Sequence, residues 1–255
     1  MPELEKMNYI IDGSIPGLQC PEPLVQFSTY DKLVYAVDIN GNVWGGTRFN
    51  FHIIPEYQNA KNVYYSERIG LCVIDQNGDL YVCEKLVLKD KNIEKVASKF
   101  ALSYTGEVYR ITYGKRYKGS NNLAWKEALG CDPTPYCTEI IDIGKFRWRT
   151  HVLTKRGQLH TITGGEKAIE SVARVFDGPI MYQNGKIKGL TTKVTIPDPE
   201  NVVYVSSDDN ILHVLRKDRT LATYHYGWKP IIENVQCLPN QFVEPQTVMK
   251  SARLS

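Results

Sequence analysis

Chemistry at neutral pH needs groups that titrate near 7 or bind metal, and in this chain those are five histidines and six cysteines. A histidine works as acid or base only beside a partner that orients it, and a nucleophile needs such a base within hydrogen-bond reach. His52, His151, His160, His213 and His225 are scattered, with no zinc-protease motif, nucleophile elbow or glycine-rich phosphate loop around them. His151 and His213 fall at roughly equivalent places in two strand-like runs, which suits packing. Cys20, Cys72, Cys83, Cys131, Cys137 and Cys237 include no CxxC spacing, so neither a zinc site nor a redox pair is expected. Cys72 and Cys83 lie in apolar runs and read as small buried hydrophobes. Thr163-Gly164-Gly165-Glu166 is a turn, and the pair Asp208-Asp209 lacks the acid spacing of a calcium loop. The expectation is a chain with no catalytic residue, metal or cofactor, one that works by binding.

Binding chemistry gathers in one stretch. Gly114 to Gly157 holds nine basic residues (Lys115, Arg116, Lys118, Lys126, Lys145, Arg147, Arg149, Lys155, Arg156) against four acidic ones (Glu127, Asp132, Glu139, Asp142). That is +5 in a chain of net charge +3, so the remainder stands at −2. Lys115, Arg116, Tyr117, Lys118, Trp125 and Lys126 interleave cations with aromatic rings, and Arg147 and Arg149 follow in support. Such cations pair with acids or phosphates, and arginine with aromatics is the composition of interface hot spots. The stretch serves either as a docking surface for an acidic partner (nucleic acid, a nucleosome's acidic face or an acidic protein) or as a solvated hairpin. The alternation of Lys145, Arg147 and Arg149 predicts one polar strand face, with Phe146 and Trp148 on the core side. Leu123 to Leu129 could form a short helix.

Composition sets the frame for this surface. Hydrophobic residues make up 42% and charged ones 23%, as in ordinary globular domains, and a chain of this length buries a core without disulfides. The charged start from Met1 to Lys6 has no apolar signal region, and no apolar run reaches the roughly 20 residues that span a bilayer. The expectation is a monomer in a reducing compartment, cytoplasm or nucleus, with no membrane.

The elements that position the basic stretch repeat along the chain. A strand-like run ends in a polar-glycine pair, and a hydrophobic or aromatic pair follows two residues on. Asn40-Gly41 leads into Val43-Trp44, Asn77-Gly78 into Leu80-Tyr81 and Thr105-Gly106 into Val108-Tyr109. Arg156-Gly157 leads into Leu159-His160 and Asn184-Gly185 into Ile187-Lys188, while a degenerate copy has Arg219 where glycine would stand. Two-residue hairpin turns need positive φ, which Asn-Gly tolerates best, so tight turns are predicted here. Counted from Gly13, the turn spacings are 28, 37, 28, 51, 28 and 34 residues, and the shortest holds three or four strands. A pair of β-sandwiches would show no common unit.

A short strand, most often Ile-x-x-Val, precedes each turn. It occurs at Val25-Gln26-Phe27, Asn62-Val63-Tyr64, Ile93 to Val96, Ile140 to Ile143, Ile169 to Val172, Val202 to Val205 and Ile232 to Val235. Seven strands stand against six turns. The missing turn is Asp12-Gly13, so the C-terminal strand near Ile232–Val235 and the N-terminal hairpin near Tyr9–Ile15 complete one unit together. The fold expected is all-β: a single closed β-propeller of about seven short blades over residues 1–240, with an insertion at 114–137 and an extension at 241–255. Closure of this kind removes exposed sheet edges.

The fourth repeat, with Ile140, Ile143, Gly144, His151, Leu153-Thr154 and the turn at Gly157, resembles the regulator-of-chromosome-condensation repeat family. Asn40-Gly41-Asn42-Val43-Trp44-Gly45-Gly46 is similar to that family's turn and aromatic-Trp-Gly. The resemblance spans roughly residues 7–240 and implies a seven-bladed propeller. Its members act as guanine-nucleotide exchange factors, chromatin binders, enzyme inhibitors or scaffolds. It therefore implies histones or a nucleosome, or a Ran-like small GTPase, as protein partner. The repeats are shorter than the family's, its Gly-rich segment is absent, and no exchange-factor residue carries over to a position here.

Overall fold

The computed structural model describes residues 9–241 except 67, 113–129, 133, 147–148, 177, 189–192, 197, 209–210 and 230. The described residues form seven small antiparallel sheets, the blades of a propeller. Blade 1 runs outward through Leu24–Tyr30, Leu33–Asp38, Val43–Thr47 and Asn50–Ile53. Blades 2, 3 and 5 also have four strands, with inner strands Ala60–Ser66, Ile93–Ala97 and Val172–Val175. Blade 4, from Ile140–Phe146, and blade 6, from Val202–Asp208, have three strands each and add a fourth contact through the bridges Leu159↔Ile169 and Leu221↔Ile232.

Blade 7 is made from both ends of the chain. Its inner strand Val235–Cys237 pairs with Ile10–Ile11, in the register Ile10↔Cys237 and Ile11↔Val235. Ile10, Ile15 and Cys237 pack into the core of blade 1, while Tyr9, Val235 and Leu238 pack into that of blade 6. The ring closes here, as the unequal count of strands and turns predicts.

One hydrogen bond recurs from blade to blade and explains the glycine spacing. The carbonyls of Gly13, Gly41, Gly78, Gly106 and Gly157 accept the N–H of Leu24, Ala60, Ile93, Ile140 and Val172, which open the next inner strands, at 2.8–3.0 Å. Arg219 does the same for Val235 at 3.0 Å. A Cβ on Gly78 would lie 2.6 Å from Asn92 Cα, and one on Gly106 2.7 Å from the Ile140 carbonyl oxygen. Each glycine therefore supplies both a left-handed φ, +79° and +88° at these two, and room for the neighbouring blade.

Two expectations are corrected by the register. The turns after Asp38, Asp75, Ser103, Thr154 and Arg216 are three-residue loops: the glycine or Arg219 donates its N–H three residues back, and only that residue has positive φ. This is a type I turn closed by a left-handed residue, and its first side chain helps fix it. Asp38 Oδ1 accepts the N–H of Asn40 and Asn42, and Asp75 Oδ1 those of Asn77 and Asp79. Two-residue turns with both φ positive occur at Asp12-Gly13 and at Cys83-Glu84, which joins the paired residues Val82 and Lys85.

The Ile-x-x-Val pattern also mixes two places. Ile169 and Ile232 lie at the outer edge of blades 4 and 6, and Val172 and Val235 open the blades that follow. In register the inner strands read Leu24-Val25-Gln26-Phe27, Ala60-Lys61-Asn62-Val63, Ile93-Glu94-Lys95-Val96, Ile140-Ile141-Asp142-Ile143, Val172-Ala173-Arg174-Val175, Val202-Val203-Tyr204-Val205 and Val235-Gln236-Cys237-Leu238. The register slips once just inside each, so a β-bulge re-aims the third residue. The first and fourth residues are buried in all seven.

Candidate functional site

The strand order gives the disc two faces. One, the turn face, holds the glycine turns and the starts of the inner strands. The other, the tip face, holds the hairpins that join inner to second strands. Lys115, Arg116, Tyr117, Lys118, Trp125, Lys126 and Arg147 lie outside the described residues, as do Leu123–Leu129 and Trp148. Their flanks are described. Thr112 pairs with Gly130, so the basic segment leaves and rejoins blade 3 at one point on the tip face. Cys131 and Cys137 then run back beside Ile111 and Val108 as that blade's outer edge.

Arg149 opens the second strand of blade 4 on the same face, opposite Phe146. Its guanidinium pairs with Glu166 Oε1 at 2.6 Å, both side chains about half exposed, so the pair contributes little to stability. Glu166 also accepts from Thr161 at 2.9 Å. Lys155 and Arg156 stand exposed in the turn that ends this strand, on the opposite face. The basic sector read as one stretch is thus divided, because a strand carries its two ends to opposite sides of the disc.

The turn face opens on the axis as a cavity of about 700 Å³, lined by Asn62, Lys95, Asp142, Arg174 and Tyr204, with Tyr104 and Ile141 exposed at its rim. Its floor comes from the third position of the inner strands, and these residues link neighbouring blades. Gln26 donates to the Val63 carbonyl and accepts from the Val63 N–H, both at 2.7 Å. Asn62 donates to the Glu94 carbonyl at 3.2 Å. Lys95 pairs with Asp142 at 2.7 Å. Arg174 donates to the carbonyls of Val202 and Val203 at 3.0 and 2.6 Å, its guanidinium 4.8 Å over the Phe176 ring. Burial holds the Arg174 pKa below its ordinary value. Gln26, Lys95, Asp142, Arg174 and the amide nitrogen of Asn62 are committed to each other or to backbone, while Asn62 Oδ1 is buried without a hydrogen-bond partner, an arrangement that suits latching blades together. The signal was one polar residue per repeat, visible only once the repeats are in register.

The histidines at equivalent strand positions form the same contact twice. His151 Nε2 and His213 Nδ1 each lie 3.2 Å from a threonine hydroxyl on the next strand, Thr161 and Thr223. Both rings are buried, and burial pushes the His213 pKa down to about 4. The six cysteines are free thiols, and no metal-ligand cluster occurs among the described residues. Burial pushes the Cys72 thiol well up, against nucleophilic use. No described helix is long and apolar enough to cross a membrane.

No family model and no curated protein matches the sequence. Solved structures do match the fold. Yeast RCC1 (Prp20) bound to Kap60 superposes with a TM-score of 0.56 at 13% identity, over 92% of this chain and 78% of that one. The chain shares the RCC1-type propeller fold. Prp20p from Saccharomyces cerevisiae in a second structure, described with its binding to Gsp1p and histones, gives 0.52 at 11% identity over 79% and 72%. A chain of the mitotic checkpoint complex gives 0.50 at 11% over 88% and 83%. At such identities the likeness is one of fold, and function has to come from the faces of this disc.

Proposed function

We propose that this chain is a protein-interaction propeller whose tip face docks on an acidic partner, with the acidic surface of a nucleosome as the partner its chemistry favours. The observation that supports this most is topological: the segment holding Lys115, Arg116, Tyr117, Lys118, Trp125 and Lys126 departs and returns on the face where Arg149 stands. Cations gathered on one face present a potential complementary to one acidic surface, which steers encounter and fixes register. The histone binding described for Prp20p agrees with this reading, and its Gsp1p binding supplies the second one, regulation of a small GTPase. In both, the propeller binds and catalyses no covalent step itself.

The test is capture of purified nucleosomes and, separately, of a Ran-like GTPase by the full chain. It is run at two salt concentrations, beside a variant with Lys115, Arg116, Lys118 and Lys126 changed to Gln. Nucleosome capture that weakens with salt and with the four substitutions is the expected result. Stoichiometric or catalytic action on the GTPase with no nucleosome capture would replace the first reading by the second. Capture equal in the variant would move the site off the segment.

A further inference from the structure

Three cations stand on the adjoining tips of blades 2 and 3, where Ile69, beside Arg68, shares one core cluster with Ala101 and Ile111 of blade 3, and none belongs to the stretch from Gly114 to Gly157. Arg68 sits in the tip of blade 2, where its N–H donates to Ser66 Oγ at 3.3 Å. Lys99 sits in the tip of blade 3, between the paired residues Ala97 and Phe100, and its carbonyl accepts the Ile111 N–H at 2.9 Å. Arg110 is the register partner of Phe100, two residues before the point where the basic segment departs. The Lys99 ammonium lies 5.8 Å from the centre of the Phe100 ring. Arg68 and Arg110 are exposed and Lys99 is half-buried, so backbone pairing holds the stems of a cluster whose heads face solvent.

Among the described residues, which leave out Glu67 beside Arg68, the ion pairs are Lys95–Asp142 and Arg149–Glu166, and neither takes up Arg68, Lys99 or Arg110. The Lys99 pKa is lowered, first by burial, then by the charges of Arg110 and Arg68, which share its sign. Like charges held together by a rigid scaffold repel, and an anion entering between them relieves that repulsion as it binds. A phosphate or a carboxylate would do so. The tip face, read above as meeting an acidic protein, favours the carboxylate.

We propose that Arg68, Lys99 and Arg110 form an anion-binding site for the carboxylate side chains of an acidic peptide, at the seam of blades 2 and 3. The site rests on the reading of the tip face as an acidic-partner surface and extends it by one blade beyond the basic segment.

The experiment uses the full chain with a fluorescent hexaglutamate peptide as probe and inorganic phosphate as competitor. It compares wild type with the triple variant R68Q/K99Q/R110Q and with the segment variant K115Q/R116Q/K118Q/K126Q. The expected result is binding weakened about tenfold in the triple variant, as three exposed ion pairs of ordinary strength allow, with the melting temperature unchanged. In wild type, the Lys99 ε-methylene NMR signal then titrates at higher pH with the peptide than without it. That titration decides alone should the triple variant melt early. Equal affinity in a folded triple variant, or a Lys99 signal indifferent to saturating peptide, would overturn the site. So would occupancy by phosphate with no binding of hexaglutamate. If the segment variant loses nucleosomes but keeps the Lys99 response, the site stands without the segment; if the segment variant loses nucleosomes while the wild-type Lys99 signal ignores saturating peptide, the site falls and the segment stands.

Discussion

Replacing Gly78 by alanine tests the reason for the glycine spacing. Gly78 has φ +79°, and its carbonyl accepts the N–H of Ile93, the first residue of the next blade. Holding alanine in the left-handed region costs about 1–2 kcal/mol. Its Cβ would stand 2.6 Å from Asn92 Cα and 3.1 Å from Ile93 N, both backbone atoms that cannot swing aside. Overpacking of that kind costs about 1–3 kcal/mol. The unfolded chain loses glycine's freedom, which returns about 0.5–1 kcal/mol. The balance is a destabilisation of about 1–4.5 kcal/mol, a fall in melting temperature of roughly 2–18 °C for a domain of this size. Urea unfolding followed by circular dichroism and tryptophan fluorescence measures it. Arg219→Gly is the control: that turn already holds a side chain at φ +66°, so the substitution relieves strain and drives no Cβ into the neighbouring blade, and it should destabilise less than Gly78→Ala. A Gly78→Ala chain within about 0.5 kcal/mol of wild type, the scatter of a neutral surface change, would refute the inter-blade role of the glycines.

Gln26→Ala leaves both the N–H and the carbonyl of buried Val63 without their side-chain partner, so the loss expected from denaturant unfolding is about 2–4 kcal/mol. The unfolded chain takes up a proton at His213 below its ordinary 6.5, while the fold resists until about 4. Stability therefore falls as pH drops through that window, by about 3 kcal/mol at its foot, and His213→Gln should flatten the slope between pH 7 and 4. Ile10→Cys places a thiol opposite Cys237 across the strands that join the chain ends. Oxidation should give an intramolecular bridge and raise stability by about 2–4 kcal/mol, read from non-reducing gels and unfolding.

What was legible in the sequence follows from what each position is asked to do. The turns could be read because a left-handed backbone with no room for a Cβ admits glycine, and Gly41, Gly78, Gly106 and Gly157 are in that position. Blade 7 could be read because an inner strand without its turn, and a turn without its strand, stood at opposite ends. The strand motif slipped at Ile169 and Ile232 because the outer edge of one blade lies three residues before the inner strand of the next. Both are apolar, and no glycine separates them. The latch residues Gln26, Asn62, Lys95, Asp142 and Arg174 share a place but not a residue type, so no pattern of letters marks them. Arg68, Lys99 and Arg110 come together only because neighbouring blades put their tips side by side, which a count of charge along the chain cannot register. The same count joined Lys155 and Arg156 to cations on the other face.

The most direct test of the docking account is hydrogen exchange of the full chain, alone and saturated with nucleosome core particles. The account predicts new protection at the tip-face residues 66, 68–70, 97–100, 110–112, 130–131, 145–146 and 149–150, and across the basic segment 113–129. Exchange should be unchanged in the glycine turns at 38–42, 75–79 and 154–158. Protection confined to those turns and the axial cavity, or none at any concentration, would contradict it.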